Sequence, residues 1–493
     1  MTKQLQVRRG SYVDSVTLMQ VSRRVASLPD VRGALVAMAT ELNLDLAASM
    51  GFEVPAGTAP SEMLVGIDAE SEDTLAAALA ELEAALSQAA APSATGFGSA
   101  PAPVTVGAAA RRGEATIALI STPGPFAFAD AVDAVDAGLH TMVFSDNVPV
   151  EQEVALKRRA QETGVLVMGP DCGTAVVGGV GLGFANVVRP GPVGIVAASG
   201  TGAQHLMTLL DRAEVGVSHC LGVGGRDLSA EVGGLSTLRA LDLLADDEAT
   251  EVVVVLSKPP AASVAEKVRA HAATLGKPVL FALLGPGQPT VTDVAAEAVR
   301  AVGATWTEPE PGPGPAGAAG RPGGYLRGLF AGGTLCDEAM VLATGRLGPV
   351  TSNIPLDGGR RIADDLASEG HTMIDFGDDR LTQGRPHPMI DGAARVERLL
   401  AETDDPGTGV LLLDVVLGLG AADDPAGELA EAVVRATAAG VPVVVSLIGT
   451  RDDPQGLDAQ RATLERAGAW VHLSNAAATT AALDLLATPE ATA

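Results

Sequence analysis

Lysine is scarce in this chain, with five residues against 28 arginines, and aromatic side chains are few for 493 residues: two tryptophans, two tyrosines and nine phenylalanines. There is no basic tract, and a formal net charge of −27 repels nucleic acid and anionic lipid, so neither is an expected partner. The three cysteines, Cys172, Cys220 and Cys336, form no CxxC pair and no disulfide framework, which fits a reducing cytoplasm. No HxH, HExxH or clustered Cys/His set is present, and no metal site is expected. The absence of a GxxxxGK[ST] loop excludes a P-loop nucleotide site. No apolar run reaches the roughly 20 residues that a membrane helix needs. The N-terminus MTKQLQVRRG lacks an apolar signal core, so a protein without membrane contact or classical export signal is expected.

What is abundant is glycine, 58 residues, together with apolar runs that alternate with amphipathic stretches. This rhythm predicts serial α/β units, and unbroken strands such as VVVVL at 252–256 are those of parallel sheets covered on both faces. Two Pro/Gly/Ala-rich stretches, 88–112 and 306–324, read as linkers. They set off a small N-terminal α/β unit (1–87), a middle part that divides into 113–190 and 191–305, and a last unit, 325–493. In the first unit a strand, a helix, a second strand, a polar stretch and a third strand precede a helix from Glu72 capped by Ser71.

The span MGPDCGTAVVGGVGLGFANVVRPGPVGIVAASGTG, 168–202, places two strand-to-Gly-rich-turn units back to back. In the second, the apolar run Val193–Ala198 breaks at Ser199-Gly200-Thr201-Gly202 and continues as a helical pattern. Such a turn presents unpaired N–H groups and a positive dipole end, which suits phosphate or carboxylate, although packing alone also makes βα turns glycine-rich. Arg9-Gly10-Ser11-Tyr12 is either a further anion turn or a helix start capped by Asp14 or Ser15.

These motifs carry a resemblance. ALISTPGPF, FSDNVP, MGPDCG, VGIVAASGTG and GVGGRD are similar to the α subunit of succinyl-CoA synthetase, whereas FAGGTLCDEAM, MIDFGDDRL and VPVVVSLIG are similar to the carboxy-terminal domain of its β subunit. The fused order, with the phrases GFANVV and LSKPP, resembles the FdrA family along nearly the whole chain. The resemblance implies serial Rossmann-like (113–190) and flavodoxin-like (191–305 and 325–493) parallel-sheet domains, the first of them CoA-binding-like, plus the extra N-terminal unit. It also departs from the synthetase. QPTVTDVAAEAV follows KPVLFALLGPG, with no Gly-His-Ala loop to relay phosphate, and 305–325 has no room for an ATP-grasp region. The first Gly-rich loop that holds the CoA phosphates is not recognisable ahead of ALIST, which makes CoA doubtful.

The FdrA likeness implies a subunit of an oxamate carbamoyltransferase. Its reaction is phosphorolysis of oxalurate to oxamate and carbamoyl phosphate in purine and allantoin nitrogen breakdown, carried out in an oligomer with two companion subunits. The Ser-Thr-Arg-Thr signature of other carbamoyltransferases is absent. The alternatives are an NDP-forming acyl-CoA synthetase and a non-catalytic scaffold. In the synthetases a phosphoryl group sits between two helix N-termini, carried over here to Ser199–Gly202 and to Gly377, Asp378 and Asp379.

Other residues fit a small anionic substrate. Gly224-Gly225-Arg226-Asp227 lets backbone and guanidinium approach one oxyanion, or forms a surface turn with a solvated Arg226–Asp227 pair. Lys258 ends a buried strand at the sheet edge where such folds bind ligands. Asp171 and Cys172 follow strand Val165–Met168 and are candidates for the acyl pocket, with Cys172 either a nucleophile or a small buried residue. Asn186, in GFANVV, is a candidate substrate contact. Arg380, Arg385 and His387 either clamp a carboxylate or belong to a solvated loop, and His205 and His219 are expected to pack or cap.

Overall fold

The structure, a computed structural model, describes residues 2–10, 13, 15–55, 57–89, 103–314, 320–321, 323–382 and 385–487. Ser11, Tyr12 and Asp14 of the first candidate turn, 90–102 of the first linker and 315–319 of the second lie outside them. Among the described residues no helix is long and apolar enough to cross a membrane.

In the N-terminal unit, strands Thr2–Arg8 and Val31–Met38 flank Met63–Ala69, and both pairings are antiparallel. Helices Ser15–Ala26 and Glu72–Ala89 bury Leu18, Val21, Val25, Leu75 and Leu82 against one face of the sheet. Ser71 Oγ accepts the Thr74 N–H at 3.1 Å, the expected cap. The polar stretch after the second strand is itself a helix, Glu41–Ser49, started by Thr40. Its weak amphipathic pattern hid it, and Ala47 and Phe52 cover the second sheet face.

Strands Ile117–Ile120, His140–Val143 and Val167–Met168 then form a small parallel sheet with helices Gly124–Asp136 and Val150–Thr163. The end of the first linker is ordered as helix Val106–Ala110, held by the Gly107 N–H on Asp133 Oδ2 at 2.6 Å. The next sheet has the order Val279–Leu283, Val252–Ser257, Pro190–Ala198, Val217–Gly222, Thr174–Val177 and Val180–Gly183. Its first four strands are parallel, and the last two form an antiparallel hairpin turned by Gly178 and Gly179. The first glycine-rich segment of 168–202 is therefore a hairpin rather than a strand-turn-helix anion site. This sheet also draws in residues that the sequence pattern groups with 113–190.

The last unit is a seven-stranded, fully parallel sheet in the order Arg360–Arg361, Thr351–Ser352, Thr372–Asp375, Tyr325–Phe330, Thr408–Val416, Val443–Ile448 and Trp470–His472. Helices Gly333–Leu347 and Asn475–Leu486 pack on one face. Ala393–Asp404, Pro425–Ala438 and Leu457–Arg466 pack on the other. Buried polar contacts lock this unit to the preceding one: Val291 N–H donates to Glu338 at 2.8 Å, and Thr292 and Ser474 hydroxyls meet at 2.8 Å. The C-terminal strand edges of the two sheets, where open α/β folds place ligands, thereby face one cleft.

Candidate functional site

Strand Pro190–Ala198 ends at Ser199, which is extended and caps helix Gly200–Arg212 by accepting the Gly202 N–H at 3.0 Å. The N–H groups of Gly200 and Thr201 remain for a ligand. Directly opposite, strand Tyr325–Phe330 runs through Ala331 and Gly332 into helix Gly333–Leu347. Asp414 takes the N–H groups of Ala331 and Gly332, at 2.7 and 2.8 Å, and fixes this turn. Gly332 has no side chain to cap the helix, so the N–H groups of its first turn stay unspent. The two helix starts meet where Ser199 Oγ lies 2.6 Å from Thr334 Oγ1. Two positive dipole ends converge there, an arrangement suited to an oxyanion.

Around this point lies a cleft of about 360 Å³ whose walls come from all parts of the chain. Asp171, Ser199, Gly200, Thr201, Gly225, Lys258, Gly377, Asp379, Arg385 and His387 line it. Phe144, Phe184 and His387 form an aromatic wall, with ring centroids 5.8 and 5.7 Å apart. Helix Ser15–Ala26 closes one side with Met19 and is anchored by Arg23, which donates to Ile390 O at 2.8 Å and pairs with Glu428 at 2.6 Å.

The charges are unevenly balanced. Asp171, in the left-handed region at φ 57°, lines the cleft with its outer side exposed. Desolvation of its carboxyl against the cleft wall, with neighbouring Asp379 and Asp146, pushes it up to about 7. Burial likewise raises Asp375 to about 7, against the pull of Lys258 and the Gly377 N–H. Burial works against the charge of Lys258, but Asp337, Asp375 and Asp171 hold its ammonium above the usual lysine value. Its Nζ lies 3.8 Å from Asp337. Burial lowers His387 to about 4, so its ring is neutral, and Nδ1 accepts the Met389 N–H at 3.2 Å. The remaining nitrogen, Nε2, then carries the proton, which makes His387 a donor rather than a nucleophile.

Several expected contacts fall elsewhere. The unspent helix start opposite Ser199 is at Gly332–Thr334, whereas at Gly377–Asp379 the Gly377 N–H is spent on Asp375 Oδ1 at 2.9 Å and Asp379–Thr382 is a helix of four residues. Asp378 and Arg380 lie outside the cleft. Arg226, expected to approach an oxyanion, turns instead to Glu153 at 3.0 Å and Val148 O at 2.7 Å and does not line the cleft. Asp227 is buried rather than solvated. Gly224, at φ +88°, serves the turn: a Cβ there would meet Pro170 O at 2.4 Å. Gly202 is buried behind Ser199, and Asn186 is buried between Leu417 O (3.0 Å) and Asp453 (2.7 Å).

Cys172 sits behind the cleft with its thiol pushed up by burial to about 12 and directed at Thr174 O. His205 packs under Asn475, whose N–H it accepts at 3.4 Å, and His219 accepts the Gly178 N–H at 3.1 Å. All three cysteines are buried, so titration of the native protein with a chromogenic disulfide is expected to find no fast-reacting thiol. One rapid equivalent would reinstate Cys172 as a nucleophile.

Sequence reasoning passed over Gly333, Thr334 and Asp375 as site residues. The signal was present: FAGGTL repeats the strand, small residues and threonine of VAASGTG.

A family model described as "CoA-ligase" matches residues 329–485, and one described as "CoA binding domain" matches 188–283 rather than the 113–190 stretch. A third, "AllF, heavy metal-associated domain", matches 1–103, a segment that here contains neither cysteine nor histidine. The Escherichia coli (strain K12) protein described as "Uncharacterized protein YahF" is 38% identical over 495 residues, covering 95% of each chain. The chain belongs to the YahF family.

More distant relatives of this YahF-family chain include the Archaeoglobus fulgidus succinate–CoA ligase [ADP-forming] subunit alpha 2, 30% identical over 154 residues. That match covers 30% of this chain and 52% of the ligase subunit, so the chain spans about half the length of that relative. Among solved structures, the dinucleotide forming acetyl-coenzyme A synthetase 1 of Ca. Korarchaeum cryptofilum, in complex with phosphate and ADP, matches 80% of this chain and 86% of its own. Its identity is 16% and its TM-score 0.30. The CoA-ligase and CoA-binding matches assign the serial parallel-sheet units to a succinyl-CoA synthetase-like fold.

Proposed function

We propose that the cleft binds phosphate or an acyl phosphate between the starts of helices Gly200–Arg212 and Gly333–Leu347, and that the chain carries the acyl-transfer step of an acyl-CoA-synthetase-type reaction. The observation that carries this reading is the 2.6 Å approach of Ser199 and Thr334, which brings together two helix N-termini, one capped at the Gly202 N–H alone and the other without a side-chain cap. In the forward step a phosphate oxygen forms a bond to the acyl carbon while the bond to sulfur breaks. Helix N–H groups and Lys258 stabilise the oxyanion that develops. A carboxyl with a value of about 7, such as Asp171 or Asp375, is part-protonated at neutral pH and supplies the proton to the departing sulfur. At about 360 Å³ the cleft is at the small end of ligand sites and fits the acyl end of a thioester, not a whole coenzyme.

A second reading is that the acyl group is carbamoyl, as the FdrA resemblance implies, with companion subunits and an oligomer completing the enzyme. One observation favours it: Asp146, Asp171, Asp375 and Asp379 all line the cleft. A carbamoyl group brings N–H donors for such acceptors, whereas a plain acyl group brings none.

The two readings separate in parallel assays with Lys258→Ala as control. Phosphate-dependent thiol release from acetyl-CoA supports the first, and carbamoyl phosphate formed from oxalurate, measured through an ADP-dependent kinase, supports the second. Neither product, alone or with companion subunits, sinks both. Anion binding is also expected to weaken above pH 7, because ionisation of Asp171 and Asp375 adds negative charge beside the ligand. Sulfate, dianionic throughout, is the suitable calorimetric probe between pH 6 and 8. Asp375→Asn should flatten the profile, and affinity that rises with pH would contradict the charge assignment.

A further inference from the structure

A second cleft, of about 1200 Å³, lies beyond the first, and Lys258 lines both. It runs between the Pro259–Pro260 strand end and the segment Asn353–Arg361. Two guanidinium groups converge in it on a single backbone oxygen: Arg361 and Arg380 each donate to Asn353 O at 2.8 Å. Arg380 is also paired with Asp378 at 3.1 Å, whereas no carboxylate pairs with Arg361 among the described residues. A carbonyl oxygen compensates only part of one positive charge, so the pair retains capacity for an oxyanion in fork geometry. The adjoining wall is apolar, with the partly exposed Ile354 and Leu356 at the opening and Met340 buried behind them.

We propose that this second cleft is a binding site for an amphipathic organic anion, whose carboxylate or phosphate is taken by Arg361 and Arg380 and whose apolar body lies along Ile354 and Leu356. The assignment is independent of the chemistry proposed for the first cleft. The two sites are nevertheless connected. The Asn353 side chain donates to Asp375 O at 2.8 Å and accepts the Asp375 N–H at 2.9 Å, so the residue whose carbonyl gathers the arginines also holds a cleft carboxyl in place.

Calorimetric titration of the full chain with octyl phosphate, octanoate and inorganic phosphate tests this. Octyl phosphate or octanoate is expected to bind at least about tenfold more tightly than inorganic phosphate, the ratio that apolar burial of a few methylenes supports. Preference between the two distinguishes a phosphate ester from a carboxylate as the source of the oxyanion. Arg361→Ala and Arg380→Ala, both at exposed positions, should each weaken binding about tenfold, in keeping with loss of a charge-assisted hydrogen bond. Ile354→Asp should abolish it, and Ser199→Ala, in the first cleft, should leave it unchanged. Thermal melts confirm that each variant is folded. Absence of binding by both amphiphiles, equal affinity for inorganic phosphate, or indifference to both arginine variants would overturn the proposal.

Discussion

Lys157→Met is expected to lower the stability of the folded chain by about 3–5 kcal/mol, the loss typical of breaking a buried ion pair from one side. The Lys157 side chain is 1% exposed, and its ammonium donates to Glu153 at 2.7 Å, Asp227 at 2.8 Å and Val223 O at 2.9 Å. Removing it leaves two carboxylates buried side by side, with Arg226, on Glu153, the one cation still paired to them among the described residues. The consequence reaches the cleft. Asp227 accepts the N–H groups of Ser236 and Thr237, at 3.1 and 2.9 Å, and so fastens the start of helix Leu235–Asp246 to the turn that carries Gly225. Urea unfolding reads the effect as a lowered midpoint, and adding Glu153→Gln and Asp227→Asn should recover part of it. A loss under about 1 kcal/mol would show that water reaches the network.

Gly333→Ala is expected to cost on the order of 10²-fold in turnover, the scale of losing one preorganised oxyanion donor. A Cβ at this position would stand 2.6 Å from Asp375 Oδ2 and 2.8 Å from Lys258 Nζ. The methyl group therefore pushes the ammonium and the carboxyl away from the helix start, or displaces the helix start itself, and either movement spoils the convergence on Ser199. Steady-state rates with the acyl donor that proves active, together with an unchanged melting temperature, check this. Wild-type rates in Gly333→Ala would mean that the helix start faces no reacting group.

The strand-helix rhythm, the helix start at Ser199–Gly202 and the position of Lys258 were legible because each depends on residues adjacent in sequence. The choice of the second anion turn was not. Strands Tyr325–Phe330 and Thr372–Asp375 are parallel neighbours, and both run out toward the cleft with glycine and aspartate nearby. What separates them is that Asp375 folds back onto the Gly377 N–H, whereas Asp414, from a third strand, clamps the turn before Gly333 and leaves its helix start free. Arg226 was misplaced for the same reason: its partner Glu153 lies on a helix far earlier in the chain. Helix Glu41–Ser49 and the hairpin Thr174–Gly183 were missed because neither has a strong hydrophobic period, and both are held by the sheets that they cover or extend.

Crystals of the full chain grown with phosphate would locate the anion directly. The expected result is phosphate within about 3 Å of the Thr201 and Thr334 amides, hydrogen-bond distance from both helix starts and beside Lys258. An empty cleft at saturating phosphate, or an anion held only by Arg361 and Arg380, would contradict the assignment of the Ser199–Thr334 junction as the oxyanion site.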